Sequence, residues 1–170
     1  MRLLFEIDKK DYDENAERTY RKSSCGIVIR GRKIAMCYID RHGVYVIPGG
    51  GIEAGETKAQ AVVREMHEET GLRIIPESVT EYGYVHMARK GTYEPVYVQD
   101  DYYFLCRAEE EIDEADLTEN ELSSGYHFDF VDPFEILKAN SDRVAAGEAP
   151  CLFERERVIL TKLVEDGLFE

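Results

Sequence analysis

The feature that most restricts how this chain can fold is an abrupt change of pattern at three consecutive glycines, Gly49–Gly51. Before them, short β-rich apolar runs alternate with turns, and the last run, residues 44–47, ends at Pro48. After them comes a stretch without Gly or Pro, residues 58–69. We therefore expect the sheet to stop at the glycines and a helix to follow.

The boundaries of this helix are marked by residues that commonly cap helices. Thr57 and Gln60 have the spacing of a capping box, and Gly71 stands where a helix would end. At about 100° per residue, four apolar side chains share one stripe, which predicts a face buried against the sheet. These residues are Ala59, Val62, Val63 and Met66.

The remaining elements are predicted from the same periodicities. Strands are expected at residues 2–7, 25–30, 34–39, 44–47, 80–88, 96–107 and 128–131, and helices at 133–139 and 151–165. Residues 9–17 and 109–121 are expected to be loops. No repeat or linker divides the chain, so we expect one domain, residues 1–170, with residues 1–20 as an N-terminal strand and loop extension. The order of elements indicates an α/β sandwich with helices on opposite faces of a mixed sheet.

Composition and charge exclude several classes of function. The 21 Lys and Arg against 35 Asp and Glu give a net charge of −14, so nucleic acid is an unlikely partner. A hydrophobic content of 44% predicts a folded core. No apolar run approaches the roughly 20 residues of a membrane span, so we expect a cytoplasmic protein without a membrane partner. Four scattered cysteines are expected to be reduced core residues: Cys25, Cys37, Cys106 and Cys151.

Three glutamates of the predicted helix converge on one side. Glu65, Glu68 and Glu69 lie within about 100° of arc, and carboxylates at this spacing repel one another. A solvated helix face is the ordinary explanation of such a cluster. Here the cluster adjoins the apolar stripe, follows the glycines and lies in the half of the helix where the dipole disfavours anions. It therefore also predicts a site for Mg²⁺ or Mn²⁺, whose usual partners are phosphate oxygens.

Together with its surroundings, this segment resembles the signature of the Nudix hydrolases. The family pattern is a Gly, five residues, a Glu, seven residues, and then Arg-Glu-apolar-x-Glu-Glu-x-Gly-apolar. All nine specified positions are matched, by Gly50, Glu56, Arg64, Glu65, Met66, Glu68, Glu69, Gly71 and Leu72. We call residues 50–72 the Nudix box. The resemblance implies an α/β/α sandwich that hydrolyses a diphosphate linkage, usually attached to a nucleoside, with divalent metal ions.

The resemblance also implies roles for individual residues. It makes Glu65, Glu68 and Glu69 the metal-ligand positions and catalytic residues, and Glu56 an auxiliary acidic residue near the metal. Family members differ in the group that completes the metal coordination. It is the second or third of these glutamates or an upstream backbone carbonyl, which we assign here to Gly49.

Three features of the box and its surroundings have more than one interpretation. Arg64, counted among the catalytic residues, either contacts phosphate or orients a box glutamate through a bidentate fork. Gly49, Gly50 and Gly51 either admit the diphosphate or only permit turns of the loop with positive φ. The general base is either a box glutamate or Glu121, which is also a candidate substrate contact, although an ordinary solvated acid explains Glu121 as well.

The substrate is expected to be a small-molecule nucleotide, either a nucleoside triphosphate or a nucleoside diphosphate derivative. Relatives that cleave ADP-ribose often carry a proline about fifteen residues past the box, and dinucleoside polyphosphate hydrolases carry a tyrosine slightly further on. The stretch at residues 86–90 has neither. Four tyrosines in or near the predicted strands are candidates for stacking a base or for the core: Tyr93, Tyr97, Tyr102 and Tyr103.

Two other functions share this fold. A silent module that binds a nucleotide-like ligand usually loses box acids, and an isoprenoid diphosphate isomerase has a degraded box, whereas this box is intact. Family members often pair through additions such as residues 1–20, so we also expect a homodimer.

Overall fold

The computed structural model describes residues 1–145 and 151–169. The strands of this part are β1 (Leu3–Asp8), β2 (Arg18–Arg30), β3 (Lys33–Ile39), β4 (Val44–Val46), β5 (Gly49–Gly51), β6 (Leu72–Ile74), β7 (Thr80–Arg89), β8 (Val96–Cys106), β9 (Ala108–Ile112) and β10 (Tyr126–Val131). Its helices are α1 (Lys58–Thr70), α2 (Glu119–Ser124), α3 (Pro133–Ala145) and α4 (Cys151–Glu165), with a 3₁₀ turn at Pro76–Ser78.

Within these residues, eight strands form one mixed sheet in the order β1-β7-β8-β2-β3-β10, with β4 paired to β3 and β5 paired to β2. Strand β2 organises this sheet, because it runs parallel to β8 from Arg18 to Val28 and antiparallel to both β3 and β5. It begins seven residues earlier than the pattern predicted, since pairing with β8 extends it through the polar stretch 18–24. Strand β1 forms the edge of the same sheet, parallel to β7.

The two faces of the sheet are covered by different helices. Side chains alternate between the faces along each strand. One face packs Ile27, Met36 and Tyr103 with Ile159, Leu160 and Leu163 of α4. The other packs Val28, Ala35 and Tyr102 with Val62 and Met66 of α1. The predicted α/β sandwich, with helices on opposite faces, is confirmed.

Helix α1 begins and ends where its sequence predicts. The Thr57 hydroxyl accepts a hydrogen bond from the Gln60 amide at 3.2 Å, the Gln60 side chain accepts one from the Thr57 amide at 2.9 Å, and Gly71 is left-handed with φ of +71°. Met66 occupies the space that a side chain at Gly26 would fill, so the middle of the helix lies closest to the sheet. Ala59, one turn before this contact region, is therefore exposed, contrary to the predicted stripe.

The prediction that the sheet stops at the three glycines was wrong. Gly49–Gly51 form β5, which pairs with Ser23–Cys25 of β2. A Cβ at Gly49 would overlap the carbonyl oxygen of Ser24, and Gly49 has φ of +151°. The missing side chain thus permits the close approach of two backbones, and the segment stays within the sheet.

The predicted loop at residues 109–121 was also wrong, at both of its ends. Strand β9 pairs with β6 in a separate small sheet, where Arg73 donates to Glu111 at 3.1 Å and to Asp113 at 2.7 Å. These ion pairs let a strongly acidic strand form. Helix α2 begins after Thr118, which forms a second capping box with Glu121.

The C-terminal helices differ in how closely they follow the sequence prediction. Helix α4 has the predicted bounds, whereas α3 continues to Ala145 instead of ending at residue 139. Cys25, Cys37 and Cys106 are buried free thiols, as predicted, and the side chain of Cys151 lies outside the described part of the chain. Across residues 1–145 and 151–169, no helix has the length and apolar character needed to cross a membrane.

Candidate active site

A cleft of about 410 Å³ opens between β5, the C-terminal half of α1 and the segment that leads through α2 to β10. The wall opposite β5 is tied to the end of α1, because the amides of Asp113 and Asp116 donate to the carbonyls of Gly71 and Glu68 at 2.9 and 2.8 Å. Eight of the nine candidate residues line the cleft: Gly49, Gly50, Gly51, Arg64, Glu65, Glu68, Glu69 and Glu121. The ninth, Glu56, is joined to the cleft through Arg64.

Arg64 is held as a fork among three carboxylates. Its Nε and Nη2 donate to the two oxygens of Glu56 at 2.7 and 3.0 Å, and Nη1 donates to Glu65 at 2.7 Å and to Glu68 at 2.9 Å. The bond from Arg64 lowers the pKa of Glu56 to about 2, so this carboxylate stays ionised. A further bond from Nη2 to the Gly51 carbonyl, at 2.9 Å, fixes the guanidinium against β5. This is the geometry expected if Arg64 orients the box glutamates.

Glu69 lies deeper than the other box acids and has a different partner. Its Oε2 accepts a hydrogen bond from the Gly49 amide at 2.7 Å, and burial raises its pKa to about 8. Burial also raises the pKa of Glu65, and the charge of Glu68 adds to this effect. Two carboxyl groups in one cleft are therefore less acidic than usual, a condition that a nearby cation would relieve.

Gly50 allows Glu65 to lie directly against β5. A Cβ at Gly50 would overlap the carboxylate of Glu65, and one at Gly51 would lie 3.9 Å from the guanidinium of Arg21. The missing side chain at Gly50 therefore leaves room for the carboxylate of Glu65 in its observed position. The expected turns are not observed, because all three glycines lie in β5 and only Gly49 has a positive φ. A Cβ added at Gly51 would meet only the Arg21 guanidinium within 4 Å.

The donor set suits a hard divalent cation. Six acidic residues line the cleft against two arginines, and carboxylate and carbonyl oxygens are the ligands that Mg²⁺ and Mn²⁺ prefer. In the part of the chain that the structure describes, no three His, Cys, Asp or Glu side chains are already grouped around one point. The box glutamates are instead held apart by hydrogen bonds, since Arg64 donates to Glu65 and Glu68 while the Gly49 amide donates to Glu69.

Glu121 lies in the cleft wall, but one of its oxygens has a structural use. Oε2 accepts hydrogen bonds from the Thr118 amide and hydroxyl, both at 2.8 Å, at the start of α2. Its charge nevertheless contributes to the raised pKa values of Glu65 and Glu69, so it faces the box acids.

Several residues of the cleft were missed by the sequence prediction, namely Arg21, Glu53, Asp116, Thr118, Asn120 and Tyr126. Thr118 carried a signal, since a Thr followed three residues later by Glu is a capping box. Arg21 lies within β2, Asn120 in α2 and Tyr126 at the start of β10. Glu53 and Asp116 lie in connections, and the positions of all five depend on tertiary pairing.

None of the four tyrosines that were candidates for stacking a base lines the cleft, and Tyr97 is half-buried on β8. Tyr102 and Tyr103 are buried in the core, and Tyr93 is almost fully exposed. Of the two interpretations, the core is therefore the correct one for Tyr102 and Tyr103. The aromatic residue that lines the cleft is Tyr126, at the start of β10.

Comparison with known proteins assigns the family. The NUDIX domain model matches residues 20–150, which is most of the chain. The chain therefore belongs to the Nudix hydrolase family. An RNA pyrophosphohydrolase from Aeromonas hydrophila is 41% identical over 61 residues, 35% of this chain and 34% of the relative. An ADP-ribose pyrophosphatase from Methanocaldococcus jannaschii is 44% identical over 50 residues, 28% of this chain and 30% of the relative. The aligned part spans about a third of these relatives' length.

Solved structures share the fold. A MutT protein from Bacillus halodurans has a TM-score of 0.56 at 24% identity, covering 69% of this chain and 72% of that chain. A bifunctional NMN adenylyltransferase/ADP-ribose pyrophosphatase from Francisella tularensis, complexed with AMP and a Mn ion, has a TM-score of 0.58 at 20% identity. It covers 87% of this chain and 42% of that chain. At these identities the likeness concerns the fold alone.

Proposed function

We propose that this protein is a metal-dependent pyrophosphohydrolase that cleaves a diphosphate linkage in a nucleoside triphosphate or a nucleoside diphosphate derivative. The observation that carries the proposal is the cleft, in which Glu65, Glu68 and Glu69 lie together and Arg64 joins two of them to Glu56. The relatives are an RNA pyrophosphohydrolase and an ADP-ribose pyrophosphatase, and both names denote cleavage of a pyrophosphate linkage. This supports the reaction class without selecting a substrate.

Each box residue has a task in this proposal. Glu65, Glu68, Glu69 and the Gly49 carbonyl would hold the cation, with Glu65 and Glu68 turning from Arg64 toward it. When bound, Mg²⁺ or Mn²⁺ would neutralise charge on the diphosphate and make an attacking water more acidic. Before the cation binds, Arg64 holds Glu65 and Glu68 in the cleft, and it stays paired with Glu56 afterwards. The proton of the attacking water would pass to a box glutamate.

Metal dependence is the direct test of this function. We expect Mg²⁺ or Mn²⁺ to raise the melting temperature, because an ion that binds only the folded state stabilises it, and EDTA to abolish turnover. The assay is a panel of nucleoside di- and triphosphates, nucleotide sugars, dinucleoside polyphosphates and a 5′-phosphorylated RNA, read by phosphate release and product mass. Unchanged stability and activity with both metals would contradict the proposal.

Arg21 is a candidate phosphate contact. Among the described residues its guanidinium has no hydrogen bond or ion pair, and it lies beside Gly51 at the edge of the acidic cleft. We expect Arg21→Ala to raise KM about tenfold with little change in kcat, since a charged hydrogen bond of this kind contributes about 1.5 kcal/mol or more. Steady-state kinetics on the best substrate of the panel would measure this.

Arg32 provides the matched control for Arg21. It is an exposed arginine in the turn between β2 and β3, outside the cleft, so Arg32→Ala removes the same charge from the protein as a whole. Equal KM values for the two variants would show that Arg21 makes no specific contact.

A catalytically silent binding module is the second candidate. It is favoured by one observation, that one oxygen of each of Glu65, Glu68 and Glu69 already accepts a hydrogen bond from the protein. Ligand binding without turnover across the panel would support it. The homodimer and the cytoplasmic location stay predictions.

A further inference from the structure

Three ionisable side chains are buried together beneath the cleft, on the side of the sheet that α4 covers. Asp101 of β8 and Glu156 of α4 are 0% exposed, and Arg155 of α4 is 8% exposed. Arg155 Nη1 donates to Asp101 at 3.0 Å. Arg155 Nε donates to Glu156 Oε1 at 2.9 Å. Buried ion pairs often stabilise a fold no better than apolar residues of the same volume would, so their presence here calls for a specific contact that apolar residues cannot make.

That contact is made by the second oxygen of Glu156. Oε2 accepts a hydrogen bond from the Ile47 amide at 3.0 Å. Ile47 and Pro48 lie between β4 and β5, outside both strands, and Pro48 has no amide proton. The Ile47 amide is therefore the one backbone donor of this two-residue connection, and its partner comes from a helix more than 100 residues later in the chain.

The same connection leads directly to the box acids. The Pro48 carbonyl accepts from the Gly26 amide at 2.9 Å, and the next amide, that of Gly49, donates to Glu69 at 2.7 Å. A shift of the Ile47 amide would thus move the donor that holds Glu69. We propose that Glu156 is a positioning residue: through the Ile47 amide it holds the backbone of residues 47–49 against Glu69 and so sets the geometry of the metal site.

The effect on the metal site rests on the proposed function, but the hydrogen bond between Glu156 and the Ile47 amide can be tested without measuring turnover. Glu156→Asp keeps the charge beside Arg155 and shortens the side chain by one methylene, which withdraws the carboxylate from Ile47. The matched control is Leu160→Ala, which removes a fully buried apolar side chain of the same helix. Both variants lower stability, whereas only the first removes the bond to Ile47.

Three measurements are made on each protein: amide hydrogen exchange without metal, the Kd for Mn²⁺ by calorimetric titration, and kcat and KM. For Glu156→Asp we expect the amides of Ile47 and Gly49 to exchange at least about tenfold faster relative to those of β3. We also expect the Kd for Mn²⁺ to rise about 10- to 100-fold, as when a group that orients metal ligands is lost. KM should stay unchanged while kcat falls. Leu160→Ala should lower the melting temperature without any of these effects.

The inference is overturned if, in variants with equal melting temperatures, Leu160→Ala changes amide exchange, the Kd for Mn²⁺ and kcat as much as Glu156→Asp does. It is also overturned if the Ile47 amide of the unsubstituted protein exchanges as fast as exposed turn amides, a result that needs no variant to fold. If the unsubstituted protein neither binds Mn²⁺ nor hydrolyses any substrate, the proposed function fails, and the exchange of Ile47 and Gly49 still decides whether Glu156 holds this segment.

Discussion

Glu68→Gln is expected to lower kcat by about three orders of magnitude while the fold stays intact. The Glu68 side chain is 41% exposed and lines the cleft, so an isosteric amide removes a charge without leaving a cavity. A charge that the proposed site uses in the transition state is lost, which lowers kcat and kcat/KM together. Steady-state kinetics and a circular dichroism melt measure the two effects separately.

Glu77→Gln is the matched control for this substitution. Glu77 is an exposed acid in the 3₁₀ turn, outside the cleft, and its change removes the same charge from the whole protein. If Glu68→Gln and Glu77→Gln lose activity equally and modestly, the box acids are not catalytic and the binding module becomes the better hypothesis.

Glu121→Gln identifies the general base in the same assay. Glutamine at this position can still accept from Thr118, so the start of α2 should be preserved. We expect less than about a tenfold loss, because a box glutamate is the base in our proposal. A loss of about 10²–10⁴-fold would assign that role to Glu121.

Met66→Asp is expected to lower the free energy of unfolding by more than about 4 kcal/mol, because it buries an unpaired charge. Met66 is fully buried between α1 and β2, in the space beside Gly26. Since a domain's whole stability is about 5–15 kcal/mol, most of the protein should lose its packed structure. Urea unfolding followed by circular dichroism would measure this.

Met66→Leu keeps the volume and apolar character, so it should cost less than about 1.5 kcal/mol. Activity should survive in this control. If Met66→Asp unfolds at the same urea concentration as Met66→Leu, then the apolar stripe does not hold α1 on the sheet.

Helix α1 and the character of the site were predictable because their signals are local. Thr57, Gln60 and Gly71 fix the two ends of the helix through contacts within a few residues, and the spacing of the glutamates places them on one side of it. The Nudix box is likewise a contiguous stretch, so the class of chemistry could be inferred before any fold was known.

The partners of those residues were not predictable, because they are brought together over long separations in the chain. Gly49 pairs with β2 and donates to Glu69, and the run of three glycines predicts neither contact. Arg21 reaches the cleft only because β2 is extended by pairing with β8.

The sequence by itself determined which acids lie together on one side of α1, since charge and helical spacing are properties of neighbouring residues. Only the tertiary structure decided how those acids differ from one another. Glu56 is kept strongly acidic by Arg64, whereas Glu69 is made weakly acidic by burial beneath β5. The physical reason is that a pKa depends on solvent access and on nearby charges, and both are set by segments far apart in the chain.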